Sequence, residues 1–333
     1  MTTKEQVLQL LKKNGNLFIS GQEMAEELFV TRASVWKAVK TLQNEGFNIE
    51  AVTNRGYRLL KDISAPEEKH MLEYLQRLNS DIQNIELRVY DTVDSTNEQA
   101  RRMAGENPDK TYIIVADRQT AGRGRRGREF FSPSGTGIYI SFLLYPETDL
   151  SDSMTITCMM AECLRRAIGD VTGLDCGIKW VNDIFYNDRK VAGVLTEGFT
   201  SLEDGRLEYL IVGAGINVYE PIDGFPETIR ETAGALLKTE TDNELKNKLC
   251  ASIIDHFLKC YLHPDENRFM SDYRNHSILP GKYIKINRFN RSTQSGREYA
   301  YVTGIDDNGH LCVRYDDGKE ETLFTGEVSV VKY

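Results

Sequence analysis

Seven residues, Gly122-Arg-Gly-Arg-Arg-Gly-Arg128, restrict what this chain can fold into more than any other stretch. They follow the strand-like run Tyr112–Ala116, and their glycines match the G-x-G-x-x-G spacing of a dinucleotide-binding turn. The match fails on chemistry. Phe131-Ser-Pro133 breaks the helix whose positive end should meet a pyrophosphate. No acidic residue closes a second strand about 20 positions on, where a ribose would need one. Four arginines stand where that fold relies on backbone NH groups. Guanidiniums on a glycine-flexible loop suit another task, neutralising a triphosphate or acyl-phosphate and folding down over it. Like charges this close repel, so the loop is expected to await a compensating anion rather than to be plain solvated surface. Gly135-Thr-Gly137 suggests a second place where backbone closely approaches a ligand.

The N-terminal stretch is a different object. The whole chain carries −9, which argues against nonspecific nucleic-acid binding. Residues 1–60 hold eight basic and six acidic side chains, so +2, leaving −11 for the rest. Val7, Leu10 and Leu11 recur at helical spacing. Ser20 and Glu23 form a capping box ahead of Met24, Ala25 and Leu28. Thr31 starts a third helix, with Val35, Trp36, Val39 and Leu42 on its apolar side and Gly46 as its stop. Ile49–Val52, the turn Thr53-Asn-Arg-Gly56 and Tyr57–Leu60 make a hairpin. Three short helices and a hairpin resemble a winged helix-turn-helix. Thr31, Arg32, Ser34 and Lys37 would then enter the major groove, with Asn54 and Arg55 touching flanking backbone. A helical domain used only for protein contacts is the alternative.

At 333 residues the chain exceeds one domain. A polar linker over Asp62–Lys69 separates residues 1–62 from 63–276. In the second segment Leu87–Tyr90, Tyr112–Ala116, Ile138–Leu144, Gly177–Trp180, Ile184–Tyr186, Val191–Thr196 and Tyr209–Val212 are strand-like, and Met154–Ile168 and Asn243–Leu262 helical. Residues 277–333 change character. Short strands at Lys282–Ile286, Glu298–Ile305, His310–Tyr315 and Glu320–Phe324 predict a small SH3-like β-barrel. The six cysteines form no CxxC pair and read as free thiols in a reducing compartment. Cys250, His256, Cys260 and His263 share one helix but lack zinc spacing, so no metal site is expected. No leader-like start and no membrane-length apolar run is present, which predicts a cytoplasmic protein.

Two further constellations carry chemistry. Lys179-Trp-Val-Asn-Asp183 sets a cation, an amide and a carboxylate in one strand–turn. Asn187-Asp188 turns the chain so that Lys190-Val-Ala-Gly193 returns beside it, bringing Lys190 to the same end. Lys190 is either a solvated hairpin lysine or, beside the arginine loop, a phosphate or carbonyl ligand. Gly213-Ala-Gly-Ile-Asn217 ends a buried strand with an amide suited to an adenine edge or phosphate.

Asp94-Ser-Thr-Asn97, Gln119–Arg128, Lys179–Asp183, Lys190–Glu197, Gly213–Asn217 and Thr325-Gly-Glu-Val328, in this order, resemble the biotin–protein ligase family in its bifunctional ligase/repressor form. The resemblance implies an α+β multidomain chain whose mixed-sheet catalytic domain is related to class II aminoacyl-tRNA synthetases. It implies formation of biotinyl-5′-AMP from biotin and ATP with Mg²⁺, then transfer to a lysine of a carboxylase's biotin carboxyl carrier domain. Ser95, Thr96, Asn97, Gln119, Gly122, Arg123, Gly124, Arg125, Lys190 and Gly193 would hold biotin. Arg123, Arg126, Lys179, Asn182, Asn217 and Phe225 would hold the nucleotide. Arg125, Lys179, Asp183 and Lys190 would be catalytic, Asp183 helping to deprotonate the incoming lysine. It further implies operator DNA upstream of biotin genes as a partner and a homodimer when adenylate is bound. Val181 stands where the family usually has proline, which is expected to loosen a turn, and Phe130 where it has tryptophan. A lipoate or octanoyl ligase, a sensor without chemistry, and a ligase with an idle DNA-binding domain are the alternatives.

Overall fold

Each apolar stripe of the N-terminal stretch finds its partner in the computed structural model, which describes residues 2–331 except 15–16, 45–46, 48, 60–64, 147–152, 202–206, 241, 264–267, 288–297 and 325. Helices α1 (Thr3–Asn14), α2 (Gly21–Glu27) and α3 (Arg32–Asn44) close on the hairpin β1 (Ile49–Val52) and β2 (Gly56–Leu59). The capping box forms as expected. Glu23 N–H donates to Ser20 Oγ (3.1 Å), and Ser20 N–H to Glu23 Oε2 (2.8 Å). Val7, Leu11, Met24, Val35, Val39 and Leu42 are buried in a core separate from the rest of the molecule. Trp36 is a correction. It lies one residue past Val35, about 100° round the helix, and is 56% exposed rather than on the apolar side. The expected stop at Gly46 lies outside the described residues.

Of the expected linker, 62–64 lie outside the described residues, whereas Glu68 and Lys69 open a helix, α4 (Glu68–Arg77). Next come β3 (Ile85–Val93), α5 (Thr96–Met103), β4 (Thr111–Gln119), β5 (Gly137–Leu144), α6 (Ser153–Thr172), β6 (Gly177–Lys179), β7 (Asp183–Tyr186), β8 (Arg189–Thr200) and β9 (Leu207–Asn217). The sheet runs β3-β4-β5-β9-β8-β7-β6. It is mixed because α5 carries the chain across to a parallel partner between β3 and β4, whereas the other pairs are antiparallel. All eight residues of β5 are buried, as a central strand covered on both faces requires. Ile113, Val115, Ile140 and Phe142 meet α6 and α7 (Leu245–Leu262) on one face. Tyr112, Ile114, Leu143 and Ile211 meet Ala100 and Met103 of α5 on the other.

After α8 (Phe269–Asn275), the tail forms an antiparallel sheet ordered β13-β12-β11-β10-β14. Its strands are β10 (Tyr283–Asn287), β11 (Tyr299–Ile305), β12 (Leu311–Arg314), β13 (Glu320–Leu323) and β14 (Glu327–Val330). The last of these lies in the motif that begins at Thr325, itself outside the described residues. Ile284, Val302 and Leu311 belong to the same buried cluster as α6 and α7. The Trp180 indole seals this junction by donating to Gly309 O at 2.8 Å.

Candidate functional site

Two adjacent strands build the reactive corner. β7 and β8 turn at Asn187 and Asp188, both at positive φ (48° and 60°). The turn brings Lys190 Nζ to 2.6 Å from Asp183 Oδ1, the meeting read from the sequence. Lys179 at the end of β6 is the register partner of Asp183, and its ammonium lies 5.4 Å over the Phe185 ring. Burial pushes its pKa below the ordinary lysine value, with Asp183 pulling the other way. Asn182 is buried. It donates to Val194 O (2.7 Å) and accepts from Arg125 Nη1 (3.2 Å), which ties the arginine loop to this corner. The Trp180–Val181 peptide bond is cis. The expected loosening at Val181 is corrected: the residue is buried, and Tyr273 Oη donates to its carbonyl at 3.0 Å.

The loop does not wait uncompensated for an outside anion, and this too is a correction. Arg123 pairs with Glu98 of α5 at 2.5 Å, and Arg128 with Glu327 of β14 at 2.8 Å. Arg126 sits in left-handed backbone (φ 65°), where burial lowers its pKa and Glu327 opposes the change. Phe130 N–H closes the loop onto Gly122 O at 2.9 Å. Gly122 is required there, since a Cβ would fall 2.5 Å from Phe130 O and 2.6 Å from Ser132 Oγ. A cavity of about 660 Å³ lies between residues 120–124 and 126–129 of the loop and Leu195 and Glu197 of β8, within the range of small-molecule sites, with Arg125 turned to Asn182 instead of lining it.

Under the loop, polar groups are locked together. Gln119 Oε1 accepts from Thr96 N–H (2.8 Å) and Thr96 Oγ1 (3.1 Å), while its Nε2 donates to Ser132 Oγ (3.0 Å). Ser95 is the buried N-cap residue of α5. Asn97 turns into the protein, donating to Glu197 Oε2 (2.7 Å) and accepting from Ser141 Oγ (2.6 Å). Asp94 accepts from Ser95 N–H and pairs with Arg102, which holds its carboxyl below the usual range. Gly193 lies directly against Lys190. Close by, Asn217 Nδ2 donates to Gly234 O (2.9 Å), whose own N–H donates to Lys190 O (2.9 Å), and Phe225 meets Phe131 edge-on at 6.4 Å. Phe130 lies across Gly215 and edge-on to Tyr139. The close approach expected at Gly137 is to protein instead, with a Cβ there falling 2.8 Å from Ile216 O.

On the N-terminal domain, Arg32, Lys37, Asn54 and Arg55 are exposed. The Arg55 guanidinium lies 4.1 Å over the Phe18 ring. Thr31 and Ser34 spend their hydroxyls on each other (2.8 Å), and Thr31 Oγ1 accepts from Ser34 N–H (3.1 Å), capping α3. Three of the residues on α7 have separate surroundings. His256 meets Asp170 at 2.8 Å, Cys260 lies 3.7 Å from Cys163, and burial pushes the Cys250 thiol up to about 12.

Glu98, Asp117, Ser141 and Lys246 escaped the sequence reading, and Glu197 and Glu327 fell inside quoted motifs without being given a role. Lys246 is fully buried at the start of α7. It donates to Asp117 Oδ1 and to Gly135 O, each at 3.2 Å, while Asp117 accepts from Ser134 and from Gly135 N–H. A carboxylate closing the apolar run Ile113–Ala116, and a lysine beside Leu245 and Leu249, were the available signals. Nothing local marked the ion pairs of Glu98 and Glu327, because their partners lie far away in the chain.

Comparison with known proteins adds the following. Residues 89–217 match the Biotin/lipoate A/B protein ligase family, residues 3–58 an HTH domain, and residues 295–331 the Biotin protein ligase C terminal domain. The bifunctional ligase/repressor BirA of Bacillus subtilis is 32% identical over 324 residues, covering 95% of each chain. That of Escherichia coli is 30% identical over 329 residues, covering 96% of this chain and 95% of its own. The structure of the biotin protein ligase from Aquifex aeolicus in complex with biotin and ATP aligns with a TM-score of 0.58 and 28% identity. The alignment covers 74% of this chain and 99% of that one.

Proposed function

Because the chain belongs to the bifunctional biotin–protein ligase/repressor family, we propose that it joins biotin to ATP and passes biotin to a carrier lysine, and that the adenylate governs its binding to DNA. The observation that carries the ligase reading is the corner where Lys190, Asp183, Asn182 and Arg125 meet beside the loop cavity.

In the first step a biotin carboxylate oxygen attacks the α-phosphorus of Mg·ATP, and the bond to the pyrophosphate leaving group breaks. Magnesium arrives as part of that substrate. Arg123, Arg125 and Arg126 face the charge that grows on the phosphorus centre, where fixed cations count most. Lys190 leaves Asp183 to meet the biotin carboxylate as it becomes an acyl-phosphate. That exchange frees Asp183 at the moment a base is needed. The acceptor lysine, with an ordinary pKa of about 10.4, must lose a proton before its nitrogen attacks the carbonyl and AMP departs. Asp183 orients the amine and takes the proton. Ser95, Thr96, Asn97, Gln119, Gly122, Gly124 and Gly193 shape the biotin side, Asn97 by bracing the floor from within. Lys179, Asn182, Asn217 and Phe225 shape the nucleotide side.

The reading assigns residues 1–62 to DNA, 63–276 to catalysis and 277–333 to closing the site. It takes the catalytic sheet as related to class II aminoacyl-tRNA synthetases, the tail as SH3-like and the protein as cytoplasmic. Its partners are the biotin carboxyl carrier domain of a carboxylase and operator DNA upstream of biotin genes, bound as a homodimer once adenylate orders the loop. Gel shift on DNA upstream of the host's biotin genes tests both halves, with biotin alone and with biotin plus Mg·ATP. Binding that needs both ligands is expected. Binding indifferent to ATP would break the link between adenylate and DNA. Pyrophosphate exchange that depends on lipoate rather than biotin would overturn the ligase assignment.

A further inference from the structure

We propose that Ala33 and Trp36 form an apolar base-reading pair that recognises thymine methyl groups in the major groove of the operator. The inference rests on the DNA-binding half of the function proposed above.

Trp36 is one of two tryptophans in the chain and is 56% exposed, although the domain's core is complete without it. Ala33, three residues earlier on the same helix, is exposed as well. Residues at i and i+3 are neighbours on a helix surface, so the two make one small apolar patch. Cations frame it. Arg32 and Lys40 lie four residues before and after Trp36, and Lys37 four residues after Ala33. All three are exposed, and α3 contains no acidic residue in a protein whose net charge is −9. A face with three cations, no carboxylate and an indole at its edge fits a polyanion that also offers apolar surface. Duplex DNA offers it in one place, the C5-methyl of thymine on the major-groove floor.

The neighbouring groups support this division of labour. Thr31 and Ser34, the hydroxyls nearest the start of the helix, bond to each other in the cap, which leaves the next turn to read bases. The wing supplies a second anchor. The exposed Arg55 guanidinium lies over the Phe18 ring at 4.1 Å, held in place for phosphate contact before DNA arrives, while Arg58 on the same ring at 4.6 Å is spent on Glu50 at 2.5 Å.

The test uses the full chain with biotin and Mg·ATP. The probe is a duplex that this protein enriches from a randomised pool, compared with the same duplex carrying deoxyuridine in place of thymidine within the footprint. Wild type is expected to bind the deoxyuridine duplex about fourfold more weakly per contacted methyl lost. Trp36→Ala is expected to lose affinity for the thymidine duplex and to ignore the substitution, and Trp36→Phe to keep part of the preference. Ligation should be unchanged in both variants, and because the N-terminal domain has a core of its own, an unchanged far-ultraviolet circular-dichroism spectrum and melting profile of residues 1–62 report that this domain still folds. Emission offers a second readout. Trp180 is buried with its indole bonded to Gly309 O, so a change on adding DNA reports Trp36. Equal affinity of wild type for both duplexes, or Trp36→Ala that still prefers thymidine, overturns the proposal. If no duplex is enriched at all, the DNA-binding reading fails and this inference with it.

Discussion

The arginine loop and the third helix, α3, are both small, strongly cationic elements, yet their charges live differently. In the loop, Arg123 and Arg128 are held by Glu98 and Glu327, and Arg125 by the Asn182 amide. On α3, Arg32, Lys37 and Lys40 project from a helix without a single carboxylate. On the proposed function the first arrangement would exchange partners, since a phosphate that takes Arg123 must displace Glu98. The second is an open display whose charge attracts a polyanion from a distance and loosens with salt. Equal charge counts in a sequence therefore do not mean equal function. What matters is whether the fold returns an anion to each cation.

Four substitutions would break or sharpen that contrast. Lys190→Ala, at the centre of the exchanging site, should slow biotin-dependent pyrophosphate exchange about 10²–10³-fold while DNA affinity in the presence of supplied adenylate persists. An exchange rate within a few-fold of wild type would remove Lys190 from the chemistry. Arg125→Ala takes one charge-assisted contact from the bound intermediate, and adenylate release should accelerate about 10- to 100-fold. Labelled adenylate that stays with the variant through gel filtration would contradict this. Arg32→Ala should weaken DNA binding about three- to tenfold and lower the salt slope by roughly one unit, with ligation untouched. A parallel loss of ligation would mean the two cationic regions are not separable. Glu327→Gln should have the smallest effect, since Arg128 is mostly exposed and such pairs contribute about 0.2–1 kcal/mol. Tryptic cleavage within residues 123–128 should rise about two- to fivefold without ligand and return to wild-type rates with biotin and Mg·ATP. Unchanged cleavage would show that the tail does not restrain the loop.

The sequence exposes this design unevenly. Short apolar runs placed β4, β5, β8 and β9, and the Asn187-Asp188 turn placed Lys190 against Asp183, because each signal is local. Trp36 went astray for a local reason as well. It adjoins Val35 on the helical wheel, and only the filled core shows on which side of the boundary it falls. The pairing of the loop with its carboxylates was invisible for a non-local reason. Glu98 is about 25 residues from Arg123 and Glu327 about 200 from Arg128, and no periodicity carries that information. Helices α4, α5 and α8 were missed because they are short, at seven to ten residues, so packing rather than propensity decides them.

One buried cluster joins the catalytic sheet to the tail, whereas the first 59 residues enclose a core of their own. During synthesis the N-terminal unit can therefore fold as soon as it leaves the ribosome. The catalytic half must wait, because Trp180 reaches its acceptor only once Gly309 has been made, and Arg128 its carboxylate only with Glu327. A nascent chain thus acquires a DNA-binding surface well before it has a finished catalytic unit, and translation stopped short of the last strand would yield an intact reader without a working enzyme.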